Sequence, residues 1–489
     1  MGNGETLAKQ YDVIIVGSGP AGIFAALELS QAGNLDILLL DKGKPIERRR
    51  CPVILKGTKC LPCSICDLVS GWGGAGAFSD GKLTFSPDVG GRLKDYLGPA
   101  ATAELLTYVE DTYLRFGGSN HVYGVGDAVE ELGHRASLAE LRLVPVKIRH
   151  LGTERCRLLL KAMRDVLASK VEIKTKTAVT SIRVENRKVK GITIDGKEVD
   201  CRYLVVAPGR EGADWLTREA QRLRLGLRSN PIDVGVRVEV PAVVTKELTD
   251  VLHESKLEFY SPTFDDKVRT FCMCPFGEVT MEWTAGSDPV MTVNGHSHTD
   301  SRTDNTNFAL LVSTSFTKPF HEPIAYGRYL ARLANILAGG VMVQRLGDLM
   351  EGRRSTPERI ERGIVEPTLK CATPGDLSFV LPYRYLVDIM EMLQALDKLA
   401  PGIASRHTLL YGVEVKFYSS RLQLTASLES GIANMFAAGD GAGVTRGLTQ
   451  ASASGVVAAR EILKRVKGEA GRRRKAVGQV HQDCPTTIG

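Results

Sequence analysis

The stretch that most constrains this chain is residues 11–22, YDVIIVGSGPAG. Residues 13–16 form an apolar run of the right length for one buried strand. The turn Gly17-Ser18-Gly19-Pro20-Ala21-Gly22 follows at once, and residues 23–32 then have a helical pattern. Strand, glycine turn and helix in that order suit a dinucleotide. Gly17 permits the tight turn, Gly19 lets backbone approach a pyrophosphate, and Gly22 lets helix and strand pack closely. The pyrophosphate would sit on the free N–H groups and positive dipole end of the helix. An acidic residue after the second strand should hold a ribose hydroxyl. Residues 35–40 are read as that strand, and Asp41 ends it. The motif alone leaves open which dinucleotide binds.

At 489 residues the chain is long enough for two or three domains. Its 43% apolar and 24% charged residues are ordinary for a soluble globular protein. A net charge of +7 argues against nucleic acid unless the basic residues cluster. The two clusters, Glu47-Arg48-Arg49-Arg50 and Arg472-Arg473-Arg474-Lys475, are read as solvated surface. No apolar run reaches the length of a membrane span, and no charged-then-apolar leader opens the chain. The start, Met1-Gly2-Asn3-Gly4-Glu5-Thr6, fits the loose myristoylation pattern but reads better as a plain loose end. Ten cysteines without an export signal point to a reducing, cytoplasmic compartment.

Residues 42–90 lack periodicity and hold a second glycine-rich loop, GWGGAGAFSDGK at 71–82. No strand pattern precedes it, so it is not a second fingerprint. Its small residues would let backbone lie against a flat ligand or phosphate. Helical patterns occupy 103–116, 128–143 and 153–169. Strand patterns follow at 171–173, 178–184, 189–194 and 203–207, with Asp195-Gly196 as a hairpin turn. Strands at 234–240, 269–273 and 279–284 mix with helices at 326–338 and 386–400. A strand at 435–438, a glycine loop at 439–443 and a helix at 450–466 close the chain, before a basic flexible tail at 466–489.

GSGPAG near the start, VVAPGR in mid-chain and FAAGDGAGVTRG near the end resemble the FAD-dependent oxidoreductases of the glutathione-reductase-like class. More closely, GWGGAGAFSDGKL, NGHSHTDSRTDN and GDGAGVTRGLTQASASG resemble a group of FAD-dependent dehydrogenases, over most of residues 10–465. The resemblance implies an α/β fold: a discontinuous Rossmann-like FAD-binding domain with an inserted α+β substrate or cap domain. The FAD domain would comprise 10–90, 165–225 and 405–465, with a helical insertion at 91–164 and the cap at 226–404. By position, Gly17, Ser18, Gly19, Pro20, Ala21 and Gly22 would hold the FAD pyrophosphate, and Asp41 with Lys42 the adenosine ribose. Gly73 and Gly74 would lie near the flavin, Val184 near the adenine, and Ala207, Pro208 and Gly209 beside the cofactor. Gly439 and Asp440 would bind ribityl and phosphate oxygens, and Gly443 to Gly447 would present N–H groups to the pyrimidine end. The class usually carries a second fingerprint for NAD(P)H, and none is found. Gly124-Val125-Gly126-Asp127 lacks a preceding apolar strand, so NAD(P)H is expected only as a transient donor.

Four cysteines crowd one segment. Cys60, Cys63 and Cys66 form C-x2-C-x2-C, and Cys51 precedes Pro52. Ferredoxins pair that triplet with a remote Cys-Pro, so a [4Fe-4S] cluster is one reading. A structural Zn²⁺, a redox dithiol at Cys63 and Cys66, and inert thiols are the others. Cys272 and Cys274, two apart on a strand pattern, are read as core.

Catalytic candidates are Lys82, closing the second glycine loop; His296, and His298 beside it, as loop proton donors; and Arg446, as an anchor for an anion. Arg384 reads as a helix cap and Glu414 as an exposed strand carboxylate. The expected activity is hydride transfer between a small organic substrate and flavin N5. Electrons would be exchanged through NAD(P)H or a redox protein partner. The alternatives are an oxygen-using oxidase or monooxygenase, an electron-transfer module, and a flavin-holding RNA- or protein-binding factor.

Overall fold

The structure is a computed structural model and describes residues 10–51, 63–79, 81–228, 230–284, 289–297, 302–314, 316, 322–417 and 420–480. Two hydrophobic cores organise it, each built on its own sheet.

The first sheet has seven strands. Five run parallel in the order Glu172–Lys174, Ile37–Leu40, Tyr11–Val16, Lys197–Val206 and Met435–Ala437. Val13 faces Ile37 on one side and Tyr203 on the other, and Met435 faces Leu204. Within them, residues 13–16, 37–40, 203–206 and 435–437 are unbroken apolar runs, all buried, because both faces of the sheet are covered there. Strand Lys197–Val206 belongs to two ladders. Its second half lies in the parallel sheet, while its first half pairs antiparallel with Lys188–Ile194, which pairs with Val179–Glu185. Asp195 and Gly196 both have left-handed φ, 48° and 77°, as the two-residue hairpin turn expected there requires.

Helix Pro20–Ser30 lies on this sheet and crosses helix Leu448–Val480 closely. A Cβ on Gly455 would stand 1.9 Å from the Ala21 carbonyl oxygen, so only glycine fits that crossing. The C-terminal helix was expected to stop near residue 466 and instead continues to Val480. Residues 467–480 include five Lys and Arg, which have good helix propensity.

The second sheet has eight strands, mostly antiparallel. At its centre lie Leu409–Lys416, Ile232–Pro241, Asn305–Thr314 and Lys267–Cys274. Helices Ala242–Leu252, Pro323–Ala338 and Tyr383–Leu399 pack on one face. The hairpin Glu278–Trp283 with Met291–His296 lies over the other. The period of two along Ile232–Pro241 explains this. Val234, Val236, Val238 and Val240 alternate with Asp233, Arg237 and Glu239, and all are buried.

Residues 91–164 divide between the two cores. Helix Pro99–Arg115 packs on the first and Asp127–Leu138 on the second. The helical pattern expected through residue 143 ends at Leu138, and Arg142–Leu143 becomes an edge strand of the second sheet. Among the described residues, no helix is long and apolar enough to cross a membrane.

Candidate functional site

Three segments far apart in sequence meet where helix Pro20–Ser30 begins. The first is the glycine turn itself. Gly17 has φ +101°, and a Cβ there would stand 2.0 Å from the Ala207 carbonyl oxygen. A Cβ on Gly22 would stand 1.8 Å from the Gly17 carbonyl oxygen. Gly19 differs: an added Cβ would meet nothing nearer than the Gly74 Cα, at 3.9 Å. Gly17 and Gly22 are therefore required by packing, and Gly19 leaves space in front of the helix. Pro20 opens the helix, no side chain caps it, and its first turn holds no acid. Its unsatisfied N–H groups and positive end suit an anionic ligand.

Asp41 orders this turn. Its Oδ2 accepts from the Ser18 N–H at 2.8 Å and the Ser18 hydroxyl at 2.7 Å, and its Oδ1 accepts from the Gly43 N–H at 2.8 Å. An ionised carboxylate has about four acceptor positions. Three are used, which leaves one for a ribose hydroxyl.

The second segment is the loop at 71–79. The Gly73 N–H donates to the Ser18 carbonyl at 2.8 Å, and Gly74 lies against Gly19. Its shape depends on Trp72, fully buried, whose indole N–H donates to the Leu160 carbonyl at 2.8 Å. It depends equally on Arg49, which is fully buried rather than solvated. Arg49 donates to the carbonyls of Asp67 and Trp72 and lies 5.0 Å over the Phe78 ring, and burial pushes its pKa down to about 10.

The third segment is the glycine loop after Met435–Ala437. Gly439, at φ +76°, leaves only 3.2 Å between an added Cβ and the Ala21 side chain. Ala207, Pro208 and Gly209 fill the gap between the first and third segments. The Ala207 N–H donates to the Val16 carbonyl, and Gly441 packs on Gly209. The Asp440 carboxylate accepts from the Thr445 hydroxyl at 2.7 Å and lies 3.9 Å from the Arg210 guanidinium. Gly443 has φ +72°. Gly447 packs on Gly90, and the Arg446 N–H donates to the Gly90 carbonyl at 2.8 Å.

The other expected residues have these surroundings. Lys42 pairs with Glu211, whose carboxylate also accepts from Ser70. Val184 pairs with Val189 beside the Asn186–Arg187 turn, at the far end of its strand from Val179. Lys176 and Thr177 also adjoin the acid, and their N–H groups donate to the carbonyls of Gly43 and Asp41. They stand where the third parallel strand passes the second, a neighbourhood set by sheet order and carrying no motif.

Lys82 is nearly buried. Its ammonium donates to the Met273 carbonyl at 2.6 Å and lies 3.8 Å from both the Glu254 carboxylate and Cys274 Sγ. It thereby links the second glycine loop to the second sheet. His296 ends a strand opposite Glu278, and His298 lies outside the described residues. Glu414 is fully buried and paired with Arg237 at 3.0 Å, not exposed. Arg384 pairs with Asp266 and does not cap its helix.

Of the four clustered cysteines, Cys60 lies outside the described residues. Burial pushes the Cys66 thiol up, and Cys63 and Cys51 are close enough to add to that. Among the described residues, no group of three or more His, Cys, Asp or Glu is placed to hold a metal ion.

A glycine turn opening an uncapped helix, an acid at the end of the next strand and a remote glycine loop packed on the helix start are the parts of a dinucleotide-binding fold. The family comparisons agree. Residues 12–49 match the FAD binding domain, and residues 231–417 match the family of FAD-dependent proteins, C-terminal domain-like. Residues 369–470 match glucose inhibited division protein A. Two of these three matches are thus to families described by FAD, one on each sheet, and neither spans half of the chain. The second match spans the central strands of the second sheet from end to end.

No curated protein matches. Solved structures resemble the chain remotely. Formate oxidase from Aspergillus oryzae has a TM-score of 0.45 at 12% identity, with 94% of this chain and 99% of that one covered. The 3-ketosteroid-delta4-(5alpha)-dehydrogenase from Rhodococcus jostii RHA1 has a TM-score of 0.40 at 13% identity, covering 94% and 99%. L-proline dehydrogenase from P. horikoshii has a TM-score of 0.39 at 11% identity, covering 94% of each chain.

Proposed function

We propose that this chain is a dehydrogenase or reductase that moves a hydride between a small organic substrate and the flavin, and exchanges electrons with NAD(P)H or a redox protein. The observation that carries the reading is the meeting of three glycine segments at one helix start. Gly74 lies against Gly19, and Gly439 lies against Ala21. When bound, FAD supplies a ring that accepts and returns a hydride.

The chain's own residues bind and orient. The N–H groups at the start of helix Pro20–Ser30 would hold the diphosphate, and Asp41 a ribose hydroxyl. Asp440, held by Thr445, would accept from the ribityl chain. Lys82 supplies a buried cation beside the second sheet, which would form the substrate side of the site.

Gly19→Ala tests the reading. Gly19 has φ −74°, which alanine adopts freely, and its added Cβ meets no protein atom closer than 3.9 Å. The variant should fold with an unchanged melting temperature without cofactor, and should bind FAD about tenfold or more weakly. Wild-type affinity in the variant, or wild-type protein that takes up no FAD, would overturn the reading. Oxygen consumption by substrate-reduced protein would favour an oxidase, and stoichiometric iron with sulfide would favour an electron-transfer module.

A further inference from the structure

The second sheet holds a pair of thiols in surroundings unlike a hydrophobic core. Strand Lys267–Cys274 slips register against Asn305–Thr314. Phe271 faces Ala309 and Cys274 faces Asn307, so one extra residue is bulged out. Cys272 sits in that bulge with φ +48°, a conformation that residues with a Cβ rarely adopt. In a regular strand two residues at i and i+2 share a face but stand about 6.6 Å apart. Here the bulge draws the two sulfurs to 4.0 Å.

Charged groups surround them. Cys274 Sγ lies 3.7 Å from the Arg237 guanidinium and 3.8 Å from the Lys82 ammonium. Arg237 also donates to the Cys272 carbonyl at 2.6 Å, and the Glu254 carboxylate accepts from the Cys272 N–H at 3.1 Å. Lys256 pairs with Glu254 and Lys416 with Glu414. Within this ion-paired set, the cations Lys82, Arg237, Lys256 and Lys416 outnumber the carboxylates Glu254 and Glu414. The hydrogen bond to Cys272 and burial push the Cys274 thiol well up, against the opposing pull of Lys82 and Arg237, so Cys274 holds its proton and Cys272 is the thiol placed to attack first. Cys274 is buried, and Cys272 is partly exposed.

We propose that Cys272 and Cys274 form a dithiol–disulfide couple that exchanges electrons with low-molecular-weight disulfides. The Cys272 thiolate attacks one sulfur of a small disulfide, RSSR. A mixed disulfide forms on Cys272, and RS⁻ leaves with the electron pair and takes up a proton. Cys274 then gives up its proton and attacks Cys272 Sγ, expelling the second RS⁻. Two electrons and two protons pass from the protein dithiol to RSSR, leaving one protein disulfide and two RSH. The reverse sequence reduces the pair. No flavin takes part in this exchange, so its test is independent of FAD binding.

Trypsin isolates the pair. Cleavage after Arg269 and Arg302 gives one peptide that carries Cys272 and Cys274 and no other cysteine. Full-length protein is equilibrated without oxygen in mixtures of reduced and oxidised glutathione, alkylated, digested and weighed. The peptide should pass through one midpoint from doubly alkylated to unalkylated and two hydrogens lighter. In Cys274→Ser, glutathione should accumulate on Cys272 as a mixed disulfide. In Cys272→Ser, Cys274 should stay unmodified. A peptide doubly alkylated at every ratio, or one that takes up glutathione on both cysteines without closing, overturns the proposal. Ready modification of Cys274 in Cys272→Ser overturns the assigned order of attack. Should either variant fail to fold, the wild-type peptide alone decides.

Discussion

The two sheets bury polar groups in opposite ways. In the first, the central runs 13–16, 37–40, 203–206 and 435–437 are apolar, and buried polarity gathers at one helix start, where backbone N–H groups meet Asp41. In the second, the strands themselves carry buried charge. Arg237 meets Glu414 and Asn307, while Glu239 accepts from Tyr411, Thr368 and Asn305. Burial pushes Glu239 above the usual carboxylate range, and those donors hold it back. The difference teaches what each sheet is for. Backbone recognition spends few side chains and leaves a site open to a ligand. The side-chain network closes on itself and fixes strand register, because a slip of one residue would drive Arg237 and Glu239 into the helix-covered face.

The largest effect should come from breaking that network. Glu414→Ala strands the Arg237 guanidinium in the interior and should cost about 3–5 kcal/mol in urea unfolding. The double replacement Arg237→Met with Glu414→Leu should recover much of it. A single-variant cost below about 1 kcal/mol would break the contrast between the sheets.

Gly17→Ala should come next. Its Cβ would collide with the Ala207 carbonyl at 2.0 Å, and its φ of +101° disfavours alanine. It should cost about 2 kcal/mol or more and abolish FAD uptake. Hydrogen exchange should show the loss at residues 11–22 while residues 305–314 keep their protection. Equal loss in both would mean that the sheets unfold as one unit.

The smallest effect concerns Asp388, fully buried on helix Tyr383–Leu399. Burial first, then nearby Asp266, pushes its pKa from 3.8 up to about 6, and the Arg384 guanidinium opposes this. Between those values the folded chain holds a proton that the unfolded chain has lost. The contribution of this group is therefore full below pH 3.8 and is lost as pH rises through about 6. The melting temperature should fall between pH 5 and pH 7 in the wild type by more than in Asp388→Asn. Parallel curves would remove Asp388 from the account.

Legibility followed the same divide. Strand, turn and helix at 11–30 were readable because their constraints are local: a glycine where a Cβ cannot fit and a proline where a helix begins. Asp41 was readable because it ends the adjoining strand. The second sheet's network was not, since Arg237, Asn307 and Glu414 come from three strands and only register brings them together. Glu414 reads as exposed on its own, as does Arg49 inside a run of charges. Arg49 is buried by Asp67, Trp72 and Phe78, which nothing in its own neighbourhood announces. Strand Lys82–Phe85 was hidden because its partner, Lys147–His150, lies across an intervening helical stretch.

Strand Lys197–Val206 sets a timetable. Its first half can zip to the preceding hairpin and its second half to Tyr11–Val16 as soon as it leaves the ribosome, but the other edge of that second half waits for Met435–Ala437, made more than two hundred residues later. Helix Pro20–Ser30 likewise waits for Gly455. During synthesis the second sheet can assemble while the first still has an open edge, so cofactor loading comes last. Chains interrupted before residue 435 would display that edge to one another, and aggregation rather than a half-active flavoprotein is the expected product.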